Sequence, residues 1–122
     1  MSEPPSTAGA AADALGRADL GAAEELARAA LAERDALSAR LTLAQALAWQ
    51  GRGHEADAVL AEVDPAALAE TDLIAWALPR AANQFWMLDE PERATAFLRS
   101  TRARLRSATT IDALLSTFAM NA

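Results

Sequence analysis

Apolar residues recur at three- and four-residue intervals along most of the chain, in segments of about 11 to 17 residues between breaks. The breaks fall near Ala18-Asp19, Arg34-Asp35, Gly51-Arg52-Gly53, Asp64-Pro65, Asp89-Glu90-Pro91 and Arg106-Ser107. Periodic stretches joined by short polar or glycine-bearing breaks predict helix, turn, helix throughout. The pattern is plainest from about 90 to 106: Ala94, Phe97, Leu98, Thr101 and Leu105 form one stripe at i, i+3, i+4, i+7 and i+11, flanked by Arg99, Arg102 and Arg106. Asp89 reads as the N-cap carboxylate of that helix, with Pro91 in its first turn, where a missing N–H costs nothing. Gly51 suits the left-handed residue that closes the helix before it. Pro79 lies inside the helix that Thr71-Asp72 opens, so a kink or break is expected near Leu78.

The segments also repeat. Ala18 to Ala27, Gly51 to Leu60 and Asp89 to Leu98 align without gaps, and an alanine recurs in the middle of each as Ala23, Ala56 and Ala94, at spacings of 33 and 38 residues. The second spacing is stretched by the insertion Pro65 to Glu70. Twelve residues before each of these alanines stands another small residue, Ala11, Ala44 and Ala82, and three further on stand Ala14, Leu47 and Phe85. Small residues at fixed points let the two helices of a hairpin approach closely, while larger ones fill the gap.

This pattern resembles the tetratricopeptide repeat, a helical hairpin of about 34 residues with small residues on its facing helices and a glycine-like turn between them. The resemblance implies three degenerate hairpins over residues 7–106, a flexible N-terminus over 1–6 and the first helix of a fourth repeat over 107–122. About seven antiparallel helices stacked in a right-handed superhelix are expected from it. The family's aromatic near the start of the first helix and its proline at the end of the repeat are mostly missing, although Asp64-Pro65 matches the latter.

Composition points to the same class. Alanine fills 34 positions and leucine 17 of the 122, whereas valine and isoleucine together number four and tyrosine is absent. A chain so poor in β-branched and aromatic residues has little from which to build a sheet, so the reading is all-α. Cysteine is absent, which excludes disulfides and thiol chemistry and suits a reducing, cytoplasmic setting. The start of the chain, Met1 to Ser6, lacks the positive and apolar regions of a signal peptide, and no apolar run approaches a membrane span. A net charge of −6 argues against direct nucleic-acid contact by these residues.

Catalytic constellations are close to absent. The single histidine, His54, reads as a solvated residue in the first turn of a helix, and a chain without lysine has no phosphate-binding G-x-x-x-x-G-K-[ST] loop. No cofactor or metal site is expected. The acidic run Glu55, Asp57, Glu62, Asp64, Glu70 and Asp72 reads as a solvated face. On the helix from about 36 to 50, Ser38, Thr42, Gln45 and Trp49 form a polar strip, and a matching strip later carries Trp76, Asn83, Trp86 and Met87. Carboxamides beside exposed indoles suit the capture of a peptide backbone or a small effector, so Trp49, Gln45, Ser38, Trp76, Asn83 and Met87 are the expected groove residues. For Trp76 and Trp86 a core position, filling space that alanine leaves, is the competing reading.

Arg99, Arg102 and Arg106, with Arg104 beside them, form a candidate patch for an anion or acidic partner. Ile111, Leu114, Leu115 and Phe118, continued by Ala119, make an apolar stripe after which no partner helix follows. That stripe suggests self-association, or a segment cut from a longer array.

A narrower resemblance lies in the strings Ala22 to Leu31, Ala44 to Arg52 and Asp112 to Ala122. They look like the helical-repeat region of large actinobacterial LuxR-family transcriptional regulators of the ATP-dependent MalT-like type. It implies a non-catalytic region for effector sensing and protein–protein contact, set in that family between an ATPase module and a DNA-binding helix-turn-helix. A free-standing adaptor that docks peptide segments of partner proteins is the alternative.

Overall fold

The computed structural model describes residues 6–121. Among these residues the chain is all-helical: α1 (Thr7–Gly16), α2 (Leu20–Glu33), α3 (Leu37–Trp49), α4 (Gly53–Ala61), α5 (Glu70–Ala82), α6 (Pro91–Arg102) and α7 (Thr109–Asn121). A 3-10 turn at Pro65–Ala67, capped by the Asp64 carboxylate on the Ala66 N–H at 3.0 Å, occupies the insertion, and a π-helical turn at Asn83–Met87 extends α5. No helix among them is long and apolar enough to cross a membrane. The helices form two compact units, one ending at Leu60 and the other beginning at Ala61.

The first unit is held together mainly by alanine. Ala11, Ala14, Ala23, Ala27, Ala39, Ala44, Ala46 and Ala56 are almost fully buried, and Leu43, Leu47 and Leu60 add bulk to them. Ala14, Ala23 and Ala46 make one cluster, with Leu15, Ala22 and Leu26 packed on its edge. Helix separation follows the size of the side chains at the contact, so this core owes its cohesion to close backbone approach more than to apolar area. Ser6 starts α1, its Oγ accepting the Gly9 N–H at 3.0 Å, whereas 1–5 of the expected flexible N-terminus lie outside the described residues. Arg40 reaches from α3 to the Val59 carbonyl at 3.1 Å and so ties α4 to α3.

The three aligned segments share one backbone feature. The three residues at the head of the aligned segments, Ala18, Gly51 and Asp89, all take positive φ, at 59°, 82° and 54°. At the first two turns the following N–H closes back on the preceding helix, Asp19 to the Ala14 carbonyl and Arg52 to the Leu47 carbonyl, each at 2.9 Å. A Cβ at Gly51 would meet open space, so the left-handed backbone alone selects glycine there. Ala18 meets the same demand with a Cβ. Replacing it with glycine is expected to stabilise the first unit by about 0.5–1 kcal/mol, read as a higher urea midpoint at unchanged slope.

The third turn departs from this frame. The Glu90 N–H bonds to the Gln84 carbonyl at 2.9 Å, a span one residue longer than at the first two turns, because the π-turn absorbs an extra residue. Counted from these acceptors, the equivalents of Ala14 and Leu47 are Gln84 and not Phe85, and the equivalents of Ala11 and Ala44 are Ala81 and not Ala82. Burial agrees: Ala11, Ala44 and Ala81 are 0%, 2% and 0% exposed, whereas Ala82 is only half-buried. Two further expectations are corrected here. Asp89 is the left-handed residue of the turn, and Glu90 occupies the N-cap of α6 without a capping hydrogen bond from its side chain. The helix is also not broken near Leu78, since α5 runs from Glu70 through Pro79 to Ala82 and its regular bonding gives way only at Asn83.

The second unit is built on larger side chains. Leu73, Trp76, Ala77, Ala81 and Phe85 pack with Ala94 and Leu98 of α6 and with Ile111 and Phe118 of α7, all of them buried. Of the apolar stripe of α7, Ile111 and Phe118 are thus buried, Leu114 and Leu115 half-buried and Ala119 exposed. Phe118 stacks on Phe85 with centroids 4.2 Å apart and planes 8° from parallel. The Glu70 carboxylate in the first turn of α5 accepts the backbone N–H groups of Arg106 and Ser107 and so fastens the loop into α7.

Candidate functional site

The expected groove residues divide between the units and differ in what they offer. In the first unit Ser38 is exposed at the start of α3, Gln45 is half-buried and Trp49 is 54% exposed at the end of the helix. Ser38 and Trp49 are eleven residues apart, about 16 Å along the axis, so they do not share one contact surface of side-chain size. Ser38 instead borders a depression of about 320 Å³ with Ser6, Thr7, Glu33 and Arg34, where Thr7 Oγ1 donates to the Glu33 carboxylate at 3.2 Å. Thr42 of the same strip is buried, its hydroxyl donating to the Ser38 carbonyl at 3.0 Å.

Trp49 stands beside a polar network. Gln50 Nε2 donates to the Ala46 carbonyl at 2.9 Å and to Glu24 Oε1 at 3.2 Å. Arg52 bridges Glu24 at 2.7 Å and Glu55 at 2.6 Å, and Arg28 closes on the other Glu24 oxygen at 3.0 Å. Sequence reading missed this network because its members come from α2, the α3–α4 turn and α4. Partial burial works to raise the Glu24 pKa, but hydrogen bonds from Gln50, Arg28 and Arg52 outweigh it and hold the carboxyl below its ordinary 4.5. Hydrogen bonding to Arg52 likewise lowers Glu55, and the hydrogen bonds to Glu55 and Glu24 raise the Arg52 guanidinium.

A carboxylate whose folded pKa is depressed contributes stability above its unfolded pKa and loses it as pH falls through the folded value. The urea midpoint of Glu24→Gln is therefore expected to lie slightly below that of the parent at neutral pH, and the gap to close in acid below 4.5. The effect is small because the surrounding charges are solvent-screened.

In the second unit the expected strip separates into core and surface. Trp76 is 2% exposed, its ring edge-on to Phe97 at 5.4 Å with the Arg80 guanidinium 5.5 Å from its centroid. Asn83 is 4% exposed. Neither lines an open surface, which corrects their placement in the groove. The reason is the one-residue shift: Asn83 takes the place of buried Ala46, not of half-buried Gln45. The same shift brings Trp86, two residues after Gln84, to the position of Trp49, two residues after Leu47. Trp86 is 51% exposed and Met87 47%, so one expected groove residue stays at the surface and a tryptophan that also read as core joins it. The Trp86 ring is fixed from beneath, edge-on to Phe85 at 5.1 Å and to Phe118 at 5.4 Å.

The remaining candidates change character. Ile111 and Phe118 are fully buried, so of the expected self-association stripe only Leu114 and Leu115, both half-buried, and exposed Ala119 keep surface to offer. Arg102 pairs with Asp112 at 2.7 Å, with both side chains about half exposed. Arg99 borders a depression of about 350 Å³ along α6 with Pro91, Glu92, Thr95 and Ala96, and Arg106 is exposed. His54 is exposed at the start of α4, whereas Asp57 is buried and departs from the solvated acidic face. No group of His, Asp or Glu side chains suited to holding a metal occurs among the described residues. Compared with protein families, with curated proteins and with solved structures, the chain matches none.

Proposed function

We propose that this chain is a non-catalytic helical-repeat module that binds protein segments through its exposed tryptophans. The observation that carries this reading is the recurrence of one device. Trp49 and Trp86 each stand two residues past the helix carbonyl that accepts the closing N–H of their turn, Leu47 and Gln84, and are 54% and 51% exposed, while Trp76 is buried. Half-exposed indoles on a rigid helix end are costly in water and are the side chains that most often anchor a partner. The finer reading is a tetratricopeptide-like sensor region of a LuxR-family regulator. Its support is the repeat spacing and the three strings quoted above.

Site-specific photo-crosslinking tests the coarser reading. A photoreactive aromatic residue placed at Trp49 or Trp86 in the producing cell is expected to give discrete protein adducts that the same residue at exposed Ser100 does not. Equal labelling at all three positions, or none at the tryptophans, would overturn it. For the finer reading, joint alanine substitution at Trp49 and Trp86 is expected to change the transcriptional output of the intact regulator, and an unchanged output would refute it.

A further inference from the structure

The face around Trp86 carries a charge pattern that selects among partners, and we propose that it docks an amphipathic helix with basic flanks. The inference rests on the interaction reading above and adds the chemistry of the occupant. Trp86 and Met87 form an adjacent exposed pair, and the stacked Phe85–Phe118 floor keeps the indole from collapsing inward. A fixed aromatic beside a flexible thioether suits an apolar helix face, the indole giving a defined anchor and the methionine filling what remains.

The charges next to this pair are acidic. Within 83–93 the ionisable residues are Asp89, Glu90, Glu92 and Arg93, and 113–121 carries none. Arg93 is held by Glu90 at 3.2 Å. Asp89 and Glu92 are both exposed, and although Glu92 shares the α6 depression with Arg99, the charges nearest the pair in the chain stay net negative. Asp89 lies two residues after Met87 in the chain, within the left-handed turn that the Glu90 N–H closes on the Gln84 carbonyl. Two copies of the chain meeting face to face here would oppose acid to acid, and an anionic surface would be repelled. Lysine or arginine flanking a leucine face would be attracted, which gives the site its preference.

The test uses the full chain and three synthetic helical peptides. They share one leucine face at i, i+3, i+4 and i+7 and differ only in carrying lysine, glutamine or glutamate on its flanks. By anisotropy of labelled peptide, the lysine form is expected to bind about five- to tenfold more tightly than the glutamine form and the glutamate form least, with the difference shrinking as salt rises. Trp86→Ser should abolish binding of all three. The double variant Asp89→Asn, Glu92→Gln should keep binding but lose the preference for lysine, asparagine being tolerated at the left-handed position.

Equal affinity for the lysine and glutamine peptides, still dependent on Trp86, would overturn the basic partner and leave the interaction reading standing. Binding of none of the peptides would overturn the docking face itself, and the photo-crosslinks would then decide the interaction reading separately. A concentration-dependent dimer dissolved by Trp86→Ser would assign the face to a second copy and overturn the proposal.

Discussion

Trp76→Ala is expected to destabilise the second unit by about 3–5 kcal/mol, a large part of the 5–15 kcal/mol that holds a typical domain folded. The ring is 2% exposed and touches Phe97 edge-on, and Arg80 lies over both rings at 5.5 and 5.0 Å. Truncation removes the largest fully buried side chain of the chain and leaves a cavity that the neighbouring helices fill only in part. It also strips the Arg80 guanidinium of one of its two aromatic faces. Trp86→Ala removes the same chemical group from a half-exposed site, so its cost should stay below about 1 kcal/mol. Urea unfolding followed by circular dichroism should separate the two variants clearly. Similar losses for both would mean that the two indoles do not differ in burial as described.

The second large effect concerns two adjacent alanines. Ala81→Leu is expected to cost about 1–3 kcal/mol or more, because Ala81 has no exposed surface and marks the close approach of α5 to its neighbours. Ala82→Leu, one residue along and half-buried, is expected to fall within about 0.5 kcal/mol of the parent. Leucine and alanine are both strong helix formers, so propensity does not separate the two substitutions and packing decides. The comparison reads the register of the third hairpin directly. If Ala82→Leu were the damaging change, the gapless alignment would be right and the π-turn would not shift the helix as described.

Much of the fold was legible in the sequence, for identifiable reasons. Apolar periodicity and the lack of β-branched residues fixed the class, and the aligned heads Ala18, Gly51 and Asp89 marked three turns that share one left-handed geometry. What stayed hidden was the extra residue in the third hairpin. The chain reads Ala81-Ala82 there, and two identical small residues satisfy either register, so an alignment without gaps takes the wrong one at no visible cost. The misplaced residues on that helix follow from it: a gapless alignment pairs Asn83 with Gln45 in place of Ala46, and pairs Leu47 with Phe85 in place of Gln84. Asp89 misled for a related reason, since aspartate serves equally as an N-cap and as a left-handed turn residue. The covering of α7 was not legible at all. Nothing in the spacing of Ile111 and Phe118 says that Phe85 will stack on Phe118.

On the site, the sequence located Trp49 correctly at the surface but could not sort the later tryptophans. Three indoles in one chain look alike until a one-residue change of phase puts Trp76 inside and Trp86 outside. The network around Glu24 and Arg52 was invisible for a different reason, its partners being 28 residues apart in the chain.

Which tryptophans meet water is measured directly by acrylamide quenching of tryptophan fluorescence in the full chain. With Trp49 and Trp86 both replaced by phenylalanine, the remaining emission comes from Trp76 and should be shielded and shifted to the blue. With Trp76 and either surface residue replaced, the remaining indole should be quenched readily. Trp86 as well shielded as Trp76 would contradict the shifted register, and with it the exposed tryptophan that the proposed binding face requires.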